Sequence, residues 1–155
     1  MSRIDNPWAR VNAKLPWPPP ESDDEKSREI PFKVWDLADV YKVAQACLES
    51  DDDNLIIYAT DDCRDDIQAL EWEPRDVAER LLLLPKARYQ NSQWCKRSFQ
   101  PGVTQKPEAI WLPCDAYVLK TVDRTKSGWS GLIEYYFKLS LSVRGTVVLM
   151  VSAHT

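Results

Sequence analysis

The chain has 155 residues, a formal net charge of −4, 44% hydrophobic residues and seven tryptophans, which is enough for one core of ordinary size. No apolar run reaches the roughly 18 residues of a membrane helix. Met1 to Leu15 lacks both the apolar stretch of a secretory signal and the Arg-rich, acid-poor character of a transit peptide, so a cytoplasmic chain without membrane contact is expected.

Cys47, Cys63, Cys95 and Cys114 are far apart and form no C-x-x-C pair, which argues against a zinc knuckle. A reducing compartment argues against disulfides, so all four read as free thiols. Cutting the chain after Pro85 divides the charge sharply. Residues 1–85 hold 10 Lys+Arg against 20 Asp+Glu (−10), and residues 86–155 hold 10 against 4 (+6), which sum to the net −4. A basic part on an acidic chain points to nucleic-acid contact by that part, or to a solvated surface.

Residues 1–30 combine Pro16, Pro18, Pro19 and Pro20 with the acids Glu21, Asp23, Asp24 and Glu25, the composition of an extended or disordered arm. Trp8 and Trp17 suit docking on the domain or on a partner. Residues 31–155 read as one α+β domain, acidic and helical over 31–85 and basic and β-rich over 86–155. Asp36 is placed to cap a helix whose Leu37, Val40, Tyr41, Ala44 and Leu48 recur at helical spacing. Asn54 to Thr60 reads as a short buried strand. Asp61 to Leu70 reads as an acid-rich helix, and a third helix follows Pro74, with Val77, Leu81 and Leu84 on one face and Pro85 ending it. The Asp-rich stretches lack the order of a calcium loop, so no metal is expected there.

After a polar segment, Lys86 to Glu108, the period becomes two. Ala109 to Lys120, Leu132 to Val143 and Thr146 to His154 read as three antiparallel strands, with turns at Ser127-Gly128 and Arg144-Gly145. In the second, Ile133, Tyr135, Phe137, Leu139, Leu141 and Val143 share one face, and Glu134, Tyr136, Lys138, Ser140 and Ser142 share the other. The apolar rows of the last two strands match only across an odd-numbered connection. A Val143-Arg144-Gly145 loop satisfies this and sets Tyr136 beside Ser152 and Glu134 beside His154. Tyr136, Lys138, Ser152 and His154 then share a face. A phenol, an ammonium, a hydroxyl and an imidazole suit metal-free RNA cleavage through the ribose 2′-hydroxyl, with His154 as acid or base. A solvated chain end is the plainer reading of that histidine.

Three short stretches resemble motifs of the MqsR-type mRNA interferase toxins, which have a RelE-like fold: Trp111-Leu112-Pro113-Cys114-Asp115-Ala116-Tyr117, Tyr136-Phe137-Lys138 and Val151-Ser152-Ala153-His154. The family counterparts are W-Q-D-x-Y, Y-x-K and a terminal V-S-F-K. The family's terminal lysine is His154 here, its glutamine falls at Cys114, and the lysine of its F-Y-K-S stretch falls within Tyr89-Gln90-Asn91-Ser92, with Lys86, Arg88, Lys96 and Arg97 nearby. The resemblance implies helices packed on a C-terminal antiparallel sheet, and a toxin of a toxin-antitoxin pair that cleaves mRNA without metal or cofactor. It also implies a cognate antitoxin as partner. The catalytic candidates are His154, Tyr136 and Lys138. RNA-binding candidates are Tyr117, Asp115, Ser152, Trp94, Lys96 and Arg97, with Lys120, Arg124 and Lys126 as further contacts. The competing expectation is a noncatalytic module that holds a protein partner through its sheet or its Pro/Trp arm.

Overall fold

The computed structural model describes residues 27–98, 111–142 and 144–155. Strand β1 (Ser27–Ile30) leads to helix α1 (Leu37–Ser50), where the Asp36 carboxylate accepts from the Ala38 amide at 2.9 Å. Asp51, in the left-handed region at φ 52°, ends the helix. The buried stripe of α1 is Val40, Val43, Ala44 and Cys47, whereas Tyr41 is exposed and Leu37 and Leu48 are half-buried. The face is therefore rotated from the one expected, because the i, i+3, i+4, i+7 set beginning at Val40 is the one that meets α3 and the sheet.

A 3-10 turn at Asp53–Leu55 precedes β2 (Ile56–Tyr58). Helix α2 (Asp61–Leu70) is capped by Thr60, whose Oγ1 accepts from the Cys63 amide at 3.0 Å. Only Cys63 and Ile67 of α2 are buried, so its acids face outward. Helix α3 (Pro74–Leu81) opens on a Glu73/Asp76 capping box and buries Val77, Ala78 and Leu81. Leu84 and Pro85 belong to a further 3-10 turn rather than to the helix. No helix among the described residues is long and apolar enough to cross a membrane.

The remaining elements are β3 (Arg88–Lys96), β4 (Trp111–Arg124), β5 (Ser130–Leu141) and β6 (Val148–His154). All six strands form one sheet in the order β1-β3-β4-β5-β6-β2, antiparallel except for the parallel β2–β6 pair. The fold is α+β, with the helices on one face, as expected. The sheet is wider than the three antiparallel strands and the short strand at 54–60 read from the sequence, the last of which is β2. Its first strand lies in the supposed arm, where Ser27–Ile30 pairs with β3 and Ile30 is buried. The rest of the arm, 1–26, lies outside the described residues. The supposed polar segment also contains a strand. Four exposed residues, Arg88 to Asn91, hide β3 from a hydropathy reading, and its buried Ser92 is polar. Residues 99–110 lie outside the described residues.

Tyr135, Phe137, Leu139 and Leu141 point to the helical side, where Trp72 lies 5.2 Å from the Tyr135 ring and 6.4 Å from the Phe137 ring. The Arg80 guanidinium covers the far side of that cluster, 4.6 Å from the Trp72 ring. It also forms a two-pronged pair with Asp123 of β4, Nε and Nη2 each 2.9 Å from a carboxylate oxygen. Both glycine turns hold: Gly128 and Gly145 have φ of 98° and 72°, values that a side chain disfavours.

The last hairpin departs from its expected register. Leu141 pairs with Val148 and Leu139 with Met150, but Lys138 pairs with Ser152, Phe137 with Ala153 and Tyr136 with His154. The connection from Ser142 to Val147 thus holds an even number of residues, and Val151, without a partner in the ladder, supplies the odd one as a bulge. The apolar row of β6 therefore changes parity partway, from Val148 and Met150 to Ala153. Val143, expected on the apolar face, lies outside the described residues.

Candidate functional site

Directly opposed residues of neighbouring strands share a face of the sheet. Arg88, Val118, Tyr136 and His154 therefore form one row across β3, β4, β5 and β6, and Asn91, Ala116, Lys138 and Ser152 form the next. Both rows lie on the face away from the helices, since the alternate residues Tyr117, Phe137 and Tyr135 face them. The shared face of Tyr136, Lys138, Ser152 and His154 follows from the structure as it did from sequence parity, but with different neighbours. Tyr136 lies beside His154 instead of Ser152, a shift of two residues, one from the even-numbered connection and one from the bulge.

The Tyr136 and His154 rings stack with centroids 5.2 Å apart and planes at 27°, and the Lys138 ammonium sits 5.8 Å from the Tyr136 ring. His154 is exposed, while Tyr136, Lys138 and Ser152 are half-buried. This arrangement offers a face to a planar group and a cation beside it, with an imidazole at the open edge. Arg88 and Asn91, both exposed, complete the two rows at the β3 side. Arg88 is in the region where the sequence comparison found no lysine. Asn91 was not singled out, and its only signal was its place in the Tyr89-Gln90-Asn91-Ser92 stretch.

Three of the RNA-binding candidates face inward. Trp94 and Asp115 are fully buried and Tyr117 is 1% exposed, so their side chains are not presented to a ligand on the open face. The Asp115 carboxylate accepts from the Val34 amide at 2.9 Å, the Trp35 amide at 2.7 Å and the Ser92 hydroxyl. Trp35 Nε1 adds a 2.7 Å bond to the Pro113 carbonyl. Asp115 thereby ties the segment between β1 and α1 to the middle of the sheet. Burial pushes its carboxyl above the ordinary value against the pull of those donors. Tyr117 packs edge-on to Tyr89 at 5.8 Å, with Lys33 Nζ 5.7 Å from its ring. Burial raises its phenol, whose oxygen has no partner among the described residues.

Lys96 lies opposite Trp111 on the helical side, and Arg97 follows the strand end, half-buried. Lys126 is engaged by Asp76 of α3 at 3.0 Å, and Lys120 pairs with Glu134 at 3.6 Å on the open face. Arg124 continues that face toward the hairpin end, where Val122, Leu132 and Trp129 are exposed. The fold and face together define an α+β protein with helices on one side of a mixed six-stranded sheet and a polar, aromatic row on the other. Compared with protein-family models, curated proteins and solved structures, the chain matches none.

Proposed function

We propose that the protein cleaves RNA on the open face of its sheet, as the toxin of a toxin-antitoxin pair. The reading is carried by the Tyr136–His154 stack with the Lys138 ammonium beside it. The ribose 2′-oxygen attacks phosphorus, the bond from phosphorus to the 5′-oxygen breaks, and the products end in a 2′,3′-cyclic phosphate and a 5′-hydroxyl. His154 carries one of the two proton transfers, since imidazole is the side chain suited to both directions near neutral pH. Lys138 stabilises the added charge on the phosphorane. Tyr136 gives a base a surface to stack on and holds the imidazole. Arg88, in the same row, meets the phosphate backbone at the β3 end. No step draws on a metal, and a cognate antitoxin would cover this face.

The experiment is cleavage of a mixed-sequence RNA by the purified full chain in EDTA. His154→Ala should reduce the rate by about 10²–10⁴-fold, and Tyr136→Phe should retain stacking while losing any proton role of the phenol. Both positions border solvent, so circular dichroism should show intact folds. Absence of cleavage by the unaltered chain, with normal growth on overexpression, would sink the reading. The exposed Val122, Leu132 and Trp129 at the β4–β5 hairpin end favour the second reading, a module that binds a protein partner. In that case their substitution abolishes capture of the partner and leaves no nuclease to lose.

A further inference from the structure

Four thiols are buried, but two of them are neighbours. Cys95 of β3 lies opposite Leu112, and Cys114 of β4 lies opposite Gln93, so the cysteines are diagonal neighbours on the face away from the helices, in a part of it that is buried. Their side chains hydrogen-bond one another. Cys95 Sγ also lies 3.8 Å from the Gln93 carbonyl and Cys114 Sγ 3.4 Å from the Leu112 carbonyl. Each of those carbonyls belongs to the residue opposite the other cysteine, so both sulfurs occupy the same small stretch of the ladder.

We propose that Cys95 and Cys114 are a dithiol site, which an oxidant of the disulfide class closes into a cross-strand disulfide between β3 and β4. Diagonal Cβ atoms are somewhat under about 7–8 Å apart, and a disulfide needs about 3.5–4.5 Å. The required approach of a few ångströms falls on two paired strands whose sulfurs already lie over the same stretch of the ladder. Cys95 is the attacking sulfur. It is 6% exposed, whereas Cys114 is fully buried. The hydrogen bond from Cys114 holds the Cys95 thiol below its ordinary value against burial, with the Lys138 ammonium assisting. Burial pushes Cys114 and Cys47 up, and Cys63 up to about 12. Reactivity follows the thiolate, so Cys95 is set apart from the other three.

With oxidised glutathione, the Cys95 thiolate attacks one sulfur, forms a mixed disulfide and releases one glutathione thiolate. Cys114 gives its proton to that thiolate, attacks Cys95 Sγ and expels the second glutathione. The protein loses two electrons and two protons, and one glutathione disulfide becomes two thiols. This site does not depend on RNA cleavage, so failure of either reading leaves the other standing.

The test uses the purified, reduced full chain, treated under native conditions with oxidised glutathione, alkylated in denaturant and mapped by non-reducing peptide mass spectrometry. The expected map joins the Cys95 and Cys114 peptides with the loss of two hydrogens and leaves Cys47 and Cys63 alkylated. With Cys114→Ser the reaction should stop at a glutathione adduct on Cys95. Four alkylated thiols, or a link that uses Cys47 or Cys63, would overturn the proposal, and the map of the unaltered chain decides it even if the variant fails to fold.

Discussion

Asp115 shows how a residue that matches a motif acquires a different use from its surroundings. Its carboxylate receives two main-chain amides and a hydroxyl with no exposure to solvent, so its removal takes the acceptor from the Val34 and Trp35 amides and leaves the Ser92 hydroxyl only its bond to Tyr89. Asp115→Ala should destabilise the fold by about 3 kcal/mol, read from urea unfolding, while RNA affinity per folded molecule stays unchanged. A stable Asp115→Asn protein that has lost RNA binding would return the residue to a ligand-contact role. Sequence identified Asp115 and Tyr117 by type and spacing alone. Which side of β4 the helices cover depends on α1 to α3, far away in the chain. By contrast, Tyr136, Lys138, Ser152 and His154 were legible as one face because strand alternation is local and the two strands are joined by one short turn.

Among the elements, the bulge at Val151 decides the geometry of the site. A continuous ladder from Leu141/Val148 would turn Ser152 and His154 to the other face. Deleting Val151 removes the extra residue and leaves Ser152, Ala153 and His154 opposite Lys138, Phe137 and Tyr136 in a continuous ladder, so the deletion should keep His154 on the open face and retain cleavage, measured on the same RNA. Persistence of the Tyr136–His154 ring contact in the deletion variant, followed by NMR, checks the register directly, and its loss would show that the extra residue is not Val151. Parity required an odd extra residue somewhere between the strands. The sequence placed it in the loop, whereas packing of Val148 and Met150 against the helices places it in the strand. Strands β1 and β3 were missed for a related reason. Both edge-side segments are short or rich in exposed polar residues, and their strand character comes from pairing, not from their own hydropathy.

The whole molecule is held between its layers by the Arg80–Asp123 pair, which joins α3 to β4 with both side chains largely buried. Tyr135 adds a 2.7 Å hydrogen bond to Asp123 and the Arg124 amide another at 2.8 Å. Although burial works in the opposite direction, the Arg80, Tyr135 and Arg124 donors hold the Asp123 carboxyl below its ordinary value of 3.8. A depressed folded value means that the stabilisation is fully present above about pH 4 and is lost as pH falls through the folded value. Asp123→Asn should remove that acid-side dependence and destabilise the protein by about 3 kcal/mol at neutral pH, measured as thermal midpoints from pH 2 to pH 7. An unchanged acid transition in the variant would show that the pair does not set it.

Sequence alone determined the helices, both glycine turns and the polar row of β5, because caps, helical spacing, left-handed glycines and strand alternation are settled within a few residues. It also determined the charge division between the two parts of the chain. Tertiary structure alone decided that six strands share the sheet, that Asp115, Tyr117 and Trp94 are buried, and that His154 stacks on Tyr136. Each of these depends on contacts between segments distant in sequence, whose energies no local pattern records.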